Sequence, residues 1–215
     1  MLEGKRPPRT IFRVARRPDP WQPPDWSRAN SDGTFGNRFD DPEGYYRVLY
    51  AATQKLSCFL ETLARFRFDP ALAAELKEIE GNDDFFPLGL VPREWTEDRL
   101  LGHAHAAGNY ADIYAVEWIA YLRHRLAAEC LRLGVDDLDA SVLQRHAPRR
   151  LTQLASLEAR RKNFEGIYYR SCYGHDLENW ALFEPFLLIA TNCEPIPPDD
   201  PTLLEALRML DLRLA

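Results

Sequence analysis

Arg47-Val48-Leu49-Tyr50-Ala51-Ala52-Thr53-Gln54-Lys55-Leu56-Ser57-Cys58-Phe59-Leu60-Glu61 holds two kinds of local structure end to end. Arg47 to Ala51 is β-branched and aromatic, the composition of a strand. Thr53 is placed to cap a helix running from about Gln54 to Phe66. Leu56, Phe59, Leu60 and Leu63 form that helix's apolar stripe, with Cys58 and Ala64 at its edges. Glu61 follows Leu60 directly, so its carboxylate lies beside the core rather than on the wet face. A strand that delivers an acidic helix to a core edge is the first sign of a mixed fold with a site.

Upstream, residues 34 to 39 read as another strand, and Asp41-Pro42-Glu43-Gly44 as a turn. Thr10 to Val14 is a short β-like run, and residues 1 to 10 form a flexible lead-in. The loop that follows carries Pro18, Pro20, Pro23 and Pro24, which forbid helix. Its Trp21 and Trp26 either staple the loop to the body or wall a ligand pocket.

Downstream, Ala71 to Ile79 reads as a short helix and Phe85 to Trp95 as extended chain. Asp112 to Leu133 is an amphipathic helix carrying Ile113, Val116, Ile119, Ala120, Leu122, Leu126 and Leu131, with Gly134 placed as its C′ residue. Asp139 or Ser141 caps a short segment reaching His146, and Pro148 sets off a helix over Thr152 to Lys162. Gly166 to Tyr169 is a strand, Leu182 to Thr191 the last one. Pro195, Pro197 and Pro198 lead into a C-terminal helix over Pro201 to Leu214. The alternation is irregular and there is no GxGxxG, so a Rossmann fold is excluded. The pattern predicts a single α+β domain, a compact mixed sheet with packed helices.

The 215 residues suffice for one domain with a sizeable core. A net charge of −6 leaves no broad basic footprint for nucleic acid or an anionic membrane. Arg145, Arg149, Arg150, Arg160, Arg161 and Lys162 read as a solvated helix face and flanking loop. Cys58, Cys130, Cys172 and Cys193 form no CxxC pair, which argues against zinc. Without an export signal ahead of them, they read as reduced thiols of a cytoplasmic protein. The longest apolar stretch, Phe186 to Ala190, is too short to span a bilayer. His103 and His105 would suit a metal only on a strand, and no third ligand is evident, so they read as structural or pocket-edge residues; no metal is expected. His124, His146 and His175 have no partner in the pattern.

Six short segments occur in a fixed order: Ile11-Phe12-Arg13-Val14, Gly36-Asn37-Arg38-Phe39-Asp40, Leu49-Tyr50-Ala51-Ala52, Phe59-Leu60-Glu61, Gly166-Ile167-Tyr168-Tyr169-Arg170-Ser171 and Trp180-Ala181-Leu182-Phe183-Glu184. Together they resemble the RES domain family, named for its arginine, glutamate and serine. The resemblance covers roughly residues 10 to 190, loosely over 70 to 150. It implies an ADP-ribosyltransferase-like fold, with a RES-like catalytic domain over 11–191, an enlarged helical middle over 70–150, and a proline-containing linker and C-terminal helix over 192–215. It also implies consumption of NAD by hydrolysis or phosphorolysis, with NAD as substrate, inorganic phosphate as an optional co-substrate and no cofactor. A cognate antitoxin, a small helix-turn-helix-type protein, is the implied partner; self-association into a homo-oligomer is left open.

The resemblance assigns Glu61, Arg38 and Ser171 to catalysis, and Arg13, Phe39, Tyr50, Tyr169 and Arg170 to substrate binding. The chemistry asks for these types. Breaking the nicotinamide–ribose bond passes through an oxocarbenium-like centre that a carboxylate stabilises. A pyrophosphate needs planar, always-charged donors, the part given to Arg13 and Arg38. Taken alone, those arginines would instead pair with Asp19, Asp40 or Asp41. Ser171 has no patterned base beside it and is read as a hydrogen-bonding group, not a nucleophile. The chain departs from the family pattern at Phe39, where tryptophan or tyrosine is usual, and at Cys172, where arginine is common; Arg170 either supplies that cation from two positions away or it is missing. Two other readings stand beside NAD cleavage: transfer of ADP-ribose to a protein from the same pocket, and a non-catalytic nucleotide-binding or association module.

Overall fold

The computed structural model describes residues 2–8, 10–69, 71–72, 89–144 and 148–215. Among them the strands are β1 (Gly4–Lys5), β2 (Ile11–Arg16), β3 (Val48–Ala52), β4 (Gly89–Val91), β5 (Arg99–Ala106), β6 (Tyr110–Asp112), β7 (Gly166–Ser171), β8 (Gly174–Phe183), β9 (Leu188–Pro195) and β10 (Leu212–Leu214). The described α-helices are α1 (Lys55–Leu63), α2 (Glu94–Glu97), α3 (Val116–Arg132), α4 (Ala140–Gln144), α5 (Arg149–Arg161) and α6 (Pro201–Met209). Eight strands form one curled sheet in the order β1-β6-β7-β8-β3-β2-β5-β9, in which only β6 and β7 run parallel. The chain is α+β, as the pattern predicts.

β3 sits in the middle and shows how the layers arise. Its side chains alternate, as strands require. Val48 and Ala52 enter the cores under the helices, while Leu49 and Ala51 pack on the opposite face with Tyr168, Trp180 and Leu182. One helical core is built from α3, α4 and α5; the other from α1 and α6. The site lies where these two helical groups meet over β3 and β7.

β2 and β3 touch at only one register pair, Phe12 with Ala52. Beyond it the strands part, and Arg13 enters the gap. Its Nε donates to the Pro20 carbonyl at 2.7 Å and its Nη1 to the Tyr50 carbonyl at 2.6 Å. A side chain thus satisfies an acceptor that a continuous ladder would have paired.

Several expectations are corrected. Residues 34 to 39 are not a strand: Asp40 Oδ2 gathers the N–H groups of Phe35 at 2.9 Å and Asn37 at 2.7 Å, and Gly36 has φ +73°, so the loop closes on itself. Thr53 does not cap α1, because Gln54 holds that position; the Thr53 hydroxyl instead accepts from Trp180 Nε1 at 3.0 Å. The buried row of α3 is Trp118, Leu122, Leu126 and Cys130, an i, i+4 series, which leaves Val116 and Leu131 exposed at 80% and 76%. Gly134, at φ +67°, closes that helix with a Schellman pair, its own N–H reaching Leu131 O and that of Val135 reaching Cys130 O.

The last strand is two. Pro185 cannot donate to a ladder, and the chain turns there from β8, paired to β3 and β7, into β9, paired to β5. The C-terminal helix ends at Met209, and Leu212–Leu214 pairs in parallel with β4. Trp95 lies on α2, not on extended chain. His103 and His105 do fall on a strand, β5, which composition alone did not reveal. The lead-in is tied down: β1 pairs with β6, Lys5 reaches Asp112 at 3.3 Å, and Trp118 Nε1 donates to Glu3 O at 2.6 Å. Asp139 is the residue that caps α4, accepting from Val142 N at 2.8 Å. Most of the helix expected over 71 to 79, the start of the extended segment at Phe85, and His146 lie outside the described residues.

Candidate functional site

Glu61 is built into the site from two elements. α1 carries it one turn after Ser57, and both face the end of β7 and the middle of β8. Ser171, in the buried last position of β7, donates to Glu61 Oε1 at 2.7 Å; Asn179 of β8 donates to the same oxygen at 3.0 Å. Oε2 receives no hydrogen bond among the described residues. The carboxylate is therefore aimed by one oxygen and open at the other.

A small cavity lies beside it, lined by Arg13, Tyr50, Cys58, Glu61, Tyr169 and Asn179 among others. Through Tyr50, Glu61, Thr62 and Tyr169 it joins a wider cleft that reaches Gly36, Asn37, Arg38, Arg149 and Cys172. Burial pulls the Arg13 guanidinium down to about 10, so it stays charged at neutral pH. Arg38 Nη2 donates to Tyr114 Oη at 2.9 Å and to the Leu143 carbonyl, while its buried Nε has no partner among the described residues. The guanidinium lies 5.1 Å from the Phe39 ring centre and 5.4 Å from that of Tyr169. Neither arginine makes an ion pair among the described residues. The pairing with Asp19, Asp40 or Asp41 that either arginine alone would suggest is absent there. Asp40 is taken by backbone N–H groups and, at 3.4 Å, by Tyr50 Oη.

The structure brings together Arg13, Arg38, Tyr50, Glu61, Tyr169 and Ser171. Two residues fall elsewhere. Phe39 is fully buried, so its ring supports Arg38 and packs at a tilt against Tyr169, ring centres 4.9 Å apart, without facing the cleft. Arg170 alternates with Tyr169 and Ser171 along β7 and therefore projects from the other face of the sheet, beside Tyr168 and a separate pocket with Asp112 and Glu117. It does not replace a cation at Cys172. Trp21 is buried against Gly102 and Trp26 packs at a tilt against Phe35, so neither walls the cleft.

Burial drives the Tyr50 and Tyr169 phenols well above their usual range, and the Cys58 thiol up to about 12. These groups are neutral hydrogen-bonding walls. The Cys172 thiol is also raised, by burial and then by Glu61. Among the described residues no cluster of three or more His, Cys, Asp or Glu side chains could hold a metal.

Asn179 and Tyr114 were missed from the sequence. Asn179 did leave a signal: it shares the alternation of Leu177, Ala181 and Phe183, so an amide sits where that face is otherwise apolar.

These features define a single-domain α+β protein whose cleft sets one oriented carboxylate against two guanidinium groups that have no acidic partner among the described residues. The model of the family described as RES domain matches residues 10–199, and the chain belongs to that family. Among solved structures, the chain is similar to one in the crystal structure of the M. tuberculosis MbcT-MbcA toxin-antitoxin complex. The TM-score is 0.51 at 12% identity, covering 95% of this chain and 92% of that one. That likeness is one of fold. No curated protein matches the chain.

Proposed function

We propose that the chain cleaves the bond between nicotinamide and ribose in NAD and is the toxin of a toxin–antitoxin pair. One observation carries the reading: Glu61, held on one oxygen by Ser171 and Asn179, stands in the same cleft as Arg13 and Arg38, which have no carboxylate partner among the described residues. Two such arginines in a confined cleft call for an anion, and the donor branches that Pro20, Tyr50, Tyr114 and Leu143 leave unused suit pyrophosphate oxygens. With the pyrophosphate there, the free Oε2 of Glu61 is available to the ribose. As the C–N bond breaks, that carboxylate stabilises the developing positive charge, and nicotinamide leaves as a neutral group. Water, releasing one proton to solvent, or phosphate then forms the new C–O bond on the ribose carbon. Tyr50 and Tyr169 supply neutral aromatic walls for the nicotinamide ring.

The test is NAD turnover by purified protein, with products resolved by mass, in buffer with and without phosphate. Nicotinamide with ADP-ribose identifies water as the acceptor, and nicotinamide with the ribose-phosphate product identifies phosphate. Intact NAD with no thermal shift on its addition defeats the reading. The toxin assignment draws on the RES family and on the solved neighbour from a toxin-antitoxin complex. Expression of the chain is expected to arrest bacterial growth, and Glu61→Gln to relieve the arrest. Equal arrest by both would sink the catalytic account. NAD in the cytoplasm is then the substrate pool, and the antitoxin the protein partner. No helix among the described residues is long and apolar enough to cross a membrane.

A further inference from the structure

Ser57 is fully buried on α1, one turn before Glu61, and its hydroxyl donates to Asn179 Oδ1 at 2.7 Å. Residues four apart on a helix lie on one face, so Ser57 and Glu61 present adjacent groups to β8. Asn179, 1% exposed, spans them: its Oδ1 meets Ser57 and its Nδ2 meets Glu61 Oε1 at 3.0 Å.

The direction of this chain of hydrogen bonds is fixed by chemistry. An ionised carboxylate only accepts, so the amide must offer it Nδ2 and turn Oδ1 the other way. A hydroxyl is needed there to donate, and no other donor reaches that oxygen among the described residues. Asn179 is buried, so loss of the hydroxyl removes the one donor its Oδ1 has among the described residues. Ser171 approaches the same Glu61 oxygen from β7. The two donors together keep Oε1 engaged and leave Oε2 toward the cleft.

We propose that Ser57 is a positioning residue for the NAD-cleaving reaction: through Asn179 it sets which oxygen, and which direction, Glu61 presents to the ribose. The inference rests on the proposed NAD cleavage. Ser57 touches no substrate and lines neither the cavity nor the cleft. Its effect therefore belongs in the chemical step, while substrate affinity stays with Arg13 and Arg38.

The experiment is steady-state NAD turnover by the full chain as wild type, Ser57→Ala, Asn179→Ala and the double variant. Ser57→Ala is expected to lower kcat by about tenfold or more, the scale of a misplaced catalytic group, with KM within about twofold. In the Asn179→Ala background the second substitution is expected to change kcat little, because the link it acts through is already gone. Ser57→Thr keeps the hydroxyl and is expected to recover most of the kcat lost by Ser57→Val, which has the same shape without it. That pair decides the matter should Ser57→Ala fold poorly, and unfolding midpoints identify such a failure. An active wild type with unchanged kcat in Ser57→Ala overturns the inference alone. Additive losses in the double variant, or equal losses in Thr and Val, also overturn it and mark Ser57 as structural. A wild type that leaves NAD intact overturns the reading beneath it and the inference with it.

Discussion

Arg38 is held by partners that leave part of its fork unused. Tyr114 Oη and the Leu143 carbonyl take Nη2, two aromatic rings lie within cation–π reach, and Nε has no partner among the described residues. A lysine in its place would carry the charge but neither the second donor branch nor the flat face. Arg38→Lys is therefore expected to raise the KM for NAD by about tenfold, roughly the loss of one charge-assisted hydrogen bond, with a smaller change in kcat. Steady-state kinetics with NAD checks this; unchanged KM would remove Arg38 from substrate binding. At Phe39 the departure from the family pattern is explained by placement, since a fully buried ring beneath the guanidinium needs no hydroxyl or indole N–H facing ligand.

Among the elements, α3 shows what a pattern reading gains and misses. Its amphipathic character is plain in the sequence, yet a broad set of apolar residues from 113 to 131 admits more than one stripe. The row that packs is fixed by Trp118, whose indole seats against Tyr121 and Phe164 and donates to Glu3 O. Leu122→Ala is expected to destabilise the protein by about 2–5 kcal/mol, and Leu131→Ala by no more than about 0.5 kcal/mol. Denaturant unfolding of the two variants distinguishes this stripe from one running through Leu131.

The turn between β8 and β9 is anchored electrostatically. Arg47 grips Glu184 with both branches, its Nε lying 2.7 Å from Oε2, and these hydrogen bonds hold the Glu184 carboxyl below the usual range. A carboxyl lowered in the folded state contributes stability above its unfolded value and loses it as pH falls through the folded one. The difference in unfolding free energy between wild type and Arg47→Ala is thus expected near about 1 kcal/mol at neutral pH, given partial exposure. It should shrink below about pH 4. A difference that grows in acid would contradict the pairing.

At the scale of the whole molecule, the N-terminal segment closes one edge of the sheet. Gly4 and Lys5 pair with Ala111 and Tyr110, and Glu3 O takes the indole N–H of a fully buried tryptophan. Removing residues 2–8 would strand that donor in the core. The expected loss is about 2 kcal/mol, or roughly 4–8 °C in Tm by calorimetry. An unchanged Tm would show that β1 adds nothing to the fold.

By itself the sequence determined the mixed α+β class, the strand-to-helix delivery of Glu61, the segments that carry Arg13, Arg38, Tyr50 and Ser171, and the family to which they belong. Those properties are local: side-chain period, turn residues and short motifs are written within a few positions. Period two also separates Arg170 from Tyr169 and Ser171, a signal that its assignment to substrate binding overlooked. Only the tertiary structure decided that Ser171 and Asn179 meet one oxygen of Glu61, across 110 and 118 positions of chain, and that Ser57 stands behind Asn179. Those contacts depend on the register of β7 against β8 and on how α1 lies over them. Strand register and helix placement are set by the packing of the whole core, so no stretch of sequence contains them.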